Sequence, residues 1–316
     1  MTEARTLPTD GVITAVRTSL AVNLNRGKWR VVWLGVLLSG WIAPVSHASA
    51  ALCDPKPIEQ VPSAPPHSPS GSEFAARVRN LDGSLRDAEI REQLLAGNFP
   101  QFLRHLVPVT LRAPGSLRSL TICVLPDYLA VGNDRDFVYV PMGLRAALDV
   151  ARRFGFELPT PKVVDAIYDN AQVRLAPQPL PAGNQMRGTP YLVRHNEMIR
   201  LQRAAMSGVP GMLTAGHKKD LVLTARLWEM PGRVAIYGWH RGVNSPIQPL
   251  STVHGAGYAD YSHGIRLVST TVYVDGIERN LTDVLADPML ANLLSKEGPL
   301  PRLAARLDLL MTSLRP

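Results

Sequence analysis

The chain has 316 residues, enough for one large domain or two modest ones. With 46% hydrophobic and 19% charged residues it is neither a disordered acidic tail nor a protein of many membrane spans. Net charge is +8, falling to +5 without residues 1–50, which hold five basic and two acidic residues. That excess suits an anionic cell-envelope or extracellular polymer and is too small to imply nucleic acid.

At the N-terminus, Arg26, Lys28 and Arg30 precede an apolar run over residues 31–45, and the small-residue triplet Ala48-Ser49-Ala50 follows. This layout predicts a signal peptide over 1–50, cleaved near Ala50. The run of about 15 residues is shorter than the roughly 20 that a spanning helix needs. A secreted or periplasmic protein is therefore expected, with no integral span in the mature chain. Oxidising surroundings permit a disulfide between Cys53 and Cys123, the two cysteines of the chain. The alternative is two separate thiols, with Cys123 a small buried hydrophobe in a strand.

Residues 51–73 interleave Pro55, Pro57, Pro62, Pro65, Pro66 and Pro69 with Ser and Gly and read as a linker. The rest, 74–316, is expected to be a globular α+β body: a mixed or antiparallel sheet with flanking helices. It divides into a helix-rich part with short strands (74–190) and a β-rich part (191–316). Residues 84–96 are rich in helix formers and stop at Gly97-Asn98. Short β-rich runs follow at 107–111, 120–125 and 137–140.

Leu144, Ala147, Leu148 and Ala151 form an apolar stripe at helical spacing. A second helix opens at Thr160-Pro161, an N-cap followed by proline at the first helical position. Residues 172–190 read as a loop and 196–206 as a helix. Strands are expected at 220–224, 233–240, 264–269 and 271–274. Alternation in the second of these places Val234, Ile236 and His240 on one face and Ala235, Tyr237 and Trp239 on the other. Helices near 281–294 and 300–314 close the chain.

Four of the eight histidines, His217, His240, His254 and His263, fall within residues 217–263, where an even spread would put about one. Each stands beside a glycine or at the end of an expected strand, where loops hold functional groups. Neutral imidazole and carboxylate are zinc ligands, and three protein ligands plus water is the usual catalytic count. His254, Asp260 and His263 are the expected zinc ligands, with His240 and His217 as fourth ligand or acid/base. Lys218, Lys219, Arg241, Arg266 and Tyr258 are the expected substrate-binding groups. A metal-free alternative makes Asp260 the partner of a histidine general base. Ser262 cannot easily meet His263 in a strand, because neighbours there point to opposite faces. A third reading, from another class, is a non-enzymatic envelope-binding or scaffold protein whose ligand face is Trp239, Tyr237, Tyr258 and Tyr261.

The run Ser251-Thr252-Val253-His254-Gly255-Ala256-Gly257-Tyr258-Ala259-Asp260 resembles the zinc motif of D-Ala-D-Ala metallopeptidases. The resemblance implies a cell-wall hydrolase with His254 and Asp260 as ligands. The motif's spacing is one residue short here, and the Trp-His pair expected after it stands before it, at Trp239-His240. The segments Asp260-Tyr-Ser-His-Gly-Ile-Arg-Leu-Val268 and Gly216-His-Lys-Lys-Asp220 look like those of secreted bacterial proteins of unassigned function. Together these readings predict an exported, zinc-assisted hydrolase of a cell-envelope or extracellular polymer.

Overall fold

The computed structural model describes Cys53 and residues 61–81, 83–112 and 117–314. The signal peptide expected over 1–50 lies outside them. Residues 61–73, which composition reads as linker, lie against the body. Val61 is buried in the core, and Arg104 donates to the Val61 and Pro62 carbonyls at 3.1 and 2.7 Å. Ser70 then caps helix α1 (Gly71–Arg77) through a capping box with Glu73, satisfying two otherwise unpaired N–H groups.

Helix α2 (Gly83–Leu95) buries Ile90 and Leu94, and strands β1 (Val107–Arg112) and β2 (Ser119–Val124) follow as an antiparallel pair. A hairpin of β3 (Ala130–Gly132) and β4 (Phe137–Tyr139) leads to α3 (Leu144–Arg153), whose Leu144, Ala147, Leu148 and Ala151 are all buried. The two-residue strand β5 (Phe156–Glu157) precedes α4 (Pro161–Asn170), where the Thr160 side chain accepts from the Val163 N–H as the sequence foretold. The loop expected over 172–190 contains β6 (Val173–Arg174) and a 3-10 turn, Asn184–Arg187.

Helix α5 (Thr189–Ala205) starts well before the expected residue 196. Pro190 sits in its first turn, where the missing N–H costs nothing. Short strands β7 (Thr214–Ala215) and β8 (Lys219–Leu221) and the one-turn helix α6 (Arg226–Glu229) come next. The hairpin β9 (Ile236–Gly242) and β10 (Ser245–Ser251) leads to β11 (His263–Gly264), β12 (Val268–Val274) and β13 (Ile277–Asn280). In place of one helix over 281–294 there are two, α7 (Leu281–Ala286) and α8 (Ala291–Leu294). Asp287 is extended, as a residue before proline tends to be, and this breaks the run. Helix α9 (Leu303–Ser313) ends the described chain.

This is an α+β fold. Five strands form an antiparallel sheet in the order β1-β2-β12-β13, with β5 pairing β12. Four form a mixed sheet, β10-β9-β8-β11, in which only the β8–β11 pair is parallel. Because β2 pairs with β12, the helix-rich and β-rich parts share a sheet, and one apolar core runs from Val61 to Leu310. Each fully buried Leu, Ile or Phe in it contributes about 1.5–3 kcal/mol.

Cys53 and Cys123 form a disulfide, tying the start of the described chain to β2. Among the described residues no helix is long and apolar enough to cross a membrane.

Two local departures shape the mixed sheet. Gly238 and Trp239 both take left-handed backbone, with φ +105° and +56°. The expected alternation therefore fails, and Gly238, Trp239 and His240 are buried in succession. At Gly264 a Cβ would lie 2.6 Å from the Tyr128 ring and 2.7 Å from the Lys218 Cβ, so β8 and β11 approach this closely only with glycine there.

Candidate active site

The four clustered histidines do not share one centre. They lie with three different carboxylates, two buried and one half-buried, each supplied by a different part of the chain.

His217 belongs with Asp127, which follows β2. Its Nε2 lies 3.3 Å from Asp127 Oδ1, and its ring packs edge-on against Tyr128 and at a tilt against Tyr139. The same carboxylate accepts from Tyr139 Oη at 2.6 Å and from the Arg203 guanidinium. Burial alone would raise the Asp127 carboxyl, but Arg203 and His217 beside it hold it far below its ordinary value. His217 is 1% exposed, and burial pushes its imidazole down to about 4. Next to it, Lys218 Nζ donates to the Tyr261 carbonyl at 2.6 Å and lies 3.1 Å from His195 Nδ1. Burial brings this ammonium down to about 7.

His240 belongs with Asp165 on α4. The carboxylate accepts from Tyr237 Oη at 2.8 Å and from Lys296 Nζ at 2.7 Å, and lies 3.0 Å from His240 Nε2. Tyr168 stacks on the His240 ring, with centroids 4.7 Å apart. No buried polar atom of this cluster lacks a partner, and its contacts make it a clasp between α4, β9 and the chain after α8.

His254 and His263 belong with Asp260, and here, as at His217, the groups are not all matched. Asp260 Oδ1 accepts from the Ser262 N–H and Oγ at 2.8 and 2.6 Å, and Oδ2 accepts from Tyr258 Oη at 3.1 Å. Burial opposes ionisation of Asp260, but the His263 imidazole and the Ser262 hydrogen bonds outweigh it and hold the carboxyl below its ordinary value. His263 Nε2 stands 4.0 Å from Asp260 Oδ2. The His263 ring is wholly buried, yet neither of its nitrogens has a hydrogen-bond partner. An orphaned buried group of this kind requires an explanation, and both ring nitrogens of His217 share that state. Burial moves its pKa below the ordinary 6.5, so the ring is neutral at pH 7.

Beside this pair lie half-buried His254, stacked on Tyr258 at 4.0 Å, and half-buried Lys219, whose Nζ lies 4.9 Å from the Trp239 ring. Trp239 Nε1 is also buried without a partner. The left-handed Trp239 backbone thus belongs to the same place as the unmatched polar atoms. Strain of this kind, about 1–3 kcal/mol, collects at functional sites.

The structure therefore brings together Asp260, His263, Tyr258, His254 and Lys219 from the expected site residues. His217 and His240, expected as acid/base or fourth ligand, are held on other carboxylates. Lys218 and Arg266, expected to face substrate, are wholly buried. Arg266 donates to the Leu125 and Thr214 carbonyls at 2.9 and 2.5 Å and lies over the Tyr128 ring, so it braces the core. Arg241 is exposed on β9. Of the proposed metal ligands, Asp260 and His263 are neighbours, whereas the His254 ring is laid flat against Tyr258. Among the described residues no three His, Cys, Asp or Glu side chains are gathered so as to hold a metal ion. The aromatic face of the binding-module reading is not exposed either. Tyr261 and Trp239 are buried, and Tyr237 and Tyr258 direct their hydroxyls to carboxylates.

Sequence reasoning missed Asp127, Asp165, Arg203, Tyr139 and His195 as polar partners. The only local signal was the position of Asp127 just past a strand end. Comparison with protein-family models, curated proteins and solved structures finds no match.

Proposed function

We propose that the chain is an exported hydrolase of a cell-envelope or extracellular polymer, with His263 as general base and Asp260 as its electrostatic partner. The observation that supports this most is a neutral, wholly buried imidazole with two unmatched nitrogens beside an ionised carboxylate. His263 takes a proton from water as that water attacks the scissile bond, then returns it to the leaving group. The imidazolium formed in between would be costly in a buried setting. Asp260, 4.0 Å away, offsets that cost by about 4 kcal/mol at an effective dielectric of 20. Lys219, half-buried beside the pair, faces the negative charge that develops on the attacked group. The disulfide and the positive balance of the chain after residue 50 favour an exported protein with a polyanionic target.

The test is release of soluble fragments from isolated cell-wall material by the processed protein, with and without chelator, beside metal analysis of the same preparation. His263→Gln is expected to lower the rate by about 10²–10⁴ while leaving thermal stability unchanged. Stoichiometric zinc with chelator-sensitive release would replace this metal-free mechanism by a zinc-assisted one, with Asp260 and His263 as ligands. Wall material that sediments with the protein but is never cleaved would establish a binding module instead.

A further inference from the structure

Helices α2 and α3 and the loop after His254 line an open cavity of about 600 Å³, a volume typical of small-ligand sites. Asp87 of α2 lines it and is only 9% exposed. Asp87 Oδ2 accepts from the Gly143 N–H at 2.9 Å, whereas Oδ1 is buried with no hydrogen-bond partner. Gly143 makes this approach possible, because a Cβ there would lie 2.8 Å from Asp87 Oδ2 and 3.0 Å from the Ala256 carbonyl. Burial raises the Asp87 carboxyl to about 6, opposed by the Gly143 hydrogen bond and by Arg86. At pH 7 it is therefore largely ionised, with one oxygen unmatched.

The other charges on the lining already have partners. Arg91 pairs with Asp149, and Arg145 donates to the Leu314 carbonyl at 3.3 Å. Asp87 is left as the lining carboxylate with no side-chain hydrogen-bond donor on it, a group that suits a compact cation with N–H donors. Its wall at Ala256 and Gly257 belongs to the loop that also carries His254 and Tyr258, and nothing lies within 4 Å of the Cβ position at Gly257. The cavity and the candidate active site thus lie along one loop.

We propose that this cavity is a subsite for a primary ammonium group on the substrate, held by Asp87, so that the polymer acted on carries free amines. Its role as a substrate subsite rests on the hydrolase reading above, whereas amine binding itself does not. Either the side-chain amine of a wall peptide or an amino sugar presents this chemistry.

The experiment is calorimetric titration of the processed protein with Nα-acetyl-L-lysine and with D-glucosamine, each beside its N-acetylated counterpart. The free amine is expected to bind and the acetylated form not to. Asp87→Asn is expected to weaken binding about tenfold or more. Ala88→Trp, on the exposed rim of the same cavity, is expected to block it without touching the carboxylate and carries the test if Asp87→Asn does not fold. A preference for the lysine derivative assigns a peptide amine, and a preference for glucosamine an amino sugar. His263→Gln is expected to bind the amine as the unaltered protein does, so loss of turnover and loss of binding are read separately. Amines that bind no tighter than their acetylated forms, or that bind equally well to both Asp87→Asn and Ala88→Trp, overturn the proposal. Amine binding by a protein that cleaves no wall material would leave the subsite standing and remove the hydrolase.

Discussion

At the residue scale, His263 shares unmatched ring nitrogens with His217 and is set apart from the other clustered histidines by its neighbours. His240 has a carboxylate 3.0 Å away and a stacked tyrosine, and His217 sits enclosed between two tyrosine rings. His263 has a carboxylate 4.0 Å away and lies against the half-buried Tyr258 ring. A base must be unprotonated to act, and burial, the largest influence on this ring, favours the neutral form over the opposing pull of Asp260. The hydrolytic rate is therefore expected to hold its neutral-pH value down to pH 6 and to fall only at more acid pH. A pH–rate profile that halves near 6.5 would show an ordinary solvent-exposed histidine and remove His263 from the role. The enrichment of histidine in residues 217–263 was plain in the sequence. Its division among three carboxylates was not, because Asp127 and Asp165 lie 90 and 75 residues from the histidines they hold.

At the element scale, the site depends on two very short strands, β8 and β11, pairing in parallel over two residues each. Such a contact has few ladder hydrogen bonds and relies on close packing, which Gly264 permits. Gly264→Ala is expected to cost about 2 kcal/mol, since the new methyl meets the Tyr128 ring and the Lys218 Cβ, neither of which is the free end of a flexible chain. Urea unfolding checks this, and an unchanged midpoint would mean that the strands can part without loss. Elements fixed by nearby residues were legible beforehand: the apolar stripe of α3 and the Thr160 cap of α4 are local patterns. The pairing of β2 with β12 was hidden, because alternation tells which face of a strand is buried but not which strand lies beside it. The left-handed turn of backbone at Trp239 was hidden for a different reason, since nothing in a tryptophan side chain calls for positive φ.

At the scale of the whole molecule, the disulfide closes a loop between residues 70 apart in sequence. In the chain-entropy account it stabilises the fold by about 4 kcal/mol, by restricting the unfolded chain. Reduction is expected to lower the melting temperature by roughly 10 °C in scanning calorimetry. A melting temperature indifferent to reductant would mean that residues 61–69 are held in place by packing alone.

The partnership of β2 with β12 also sets when the protein can fold. The strand at 119–124 is flanked by β1 on one side, and the other side stays open until residues 268–274 arrive. Contacts so distant in sequence form slowly. A polypeptide emerging from the ribosome would thus remain without its central sheet until nearly all of it had been made. Were the chain exported, as proposed above, that delay would keep it threadable through a membrane channel, an advantage written into the order of its strands.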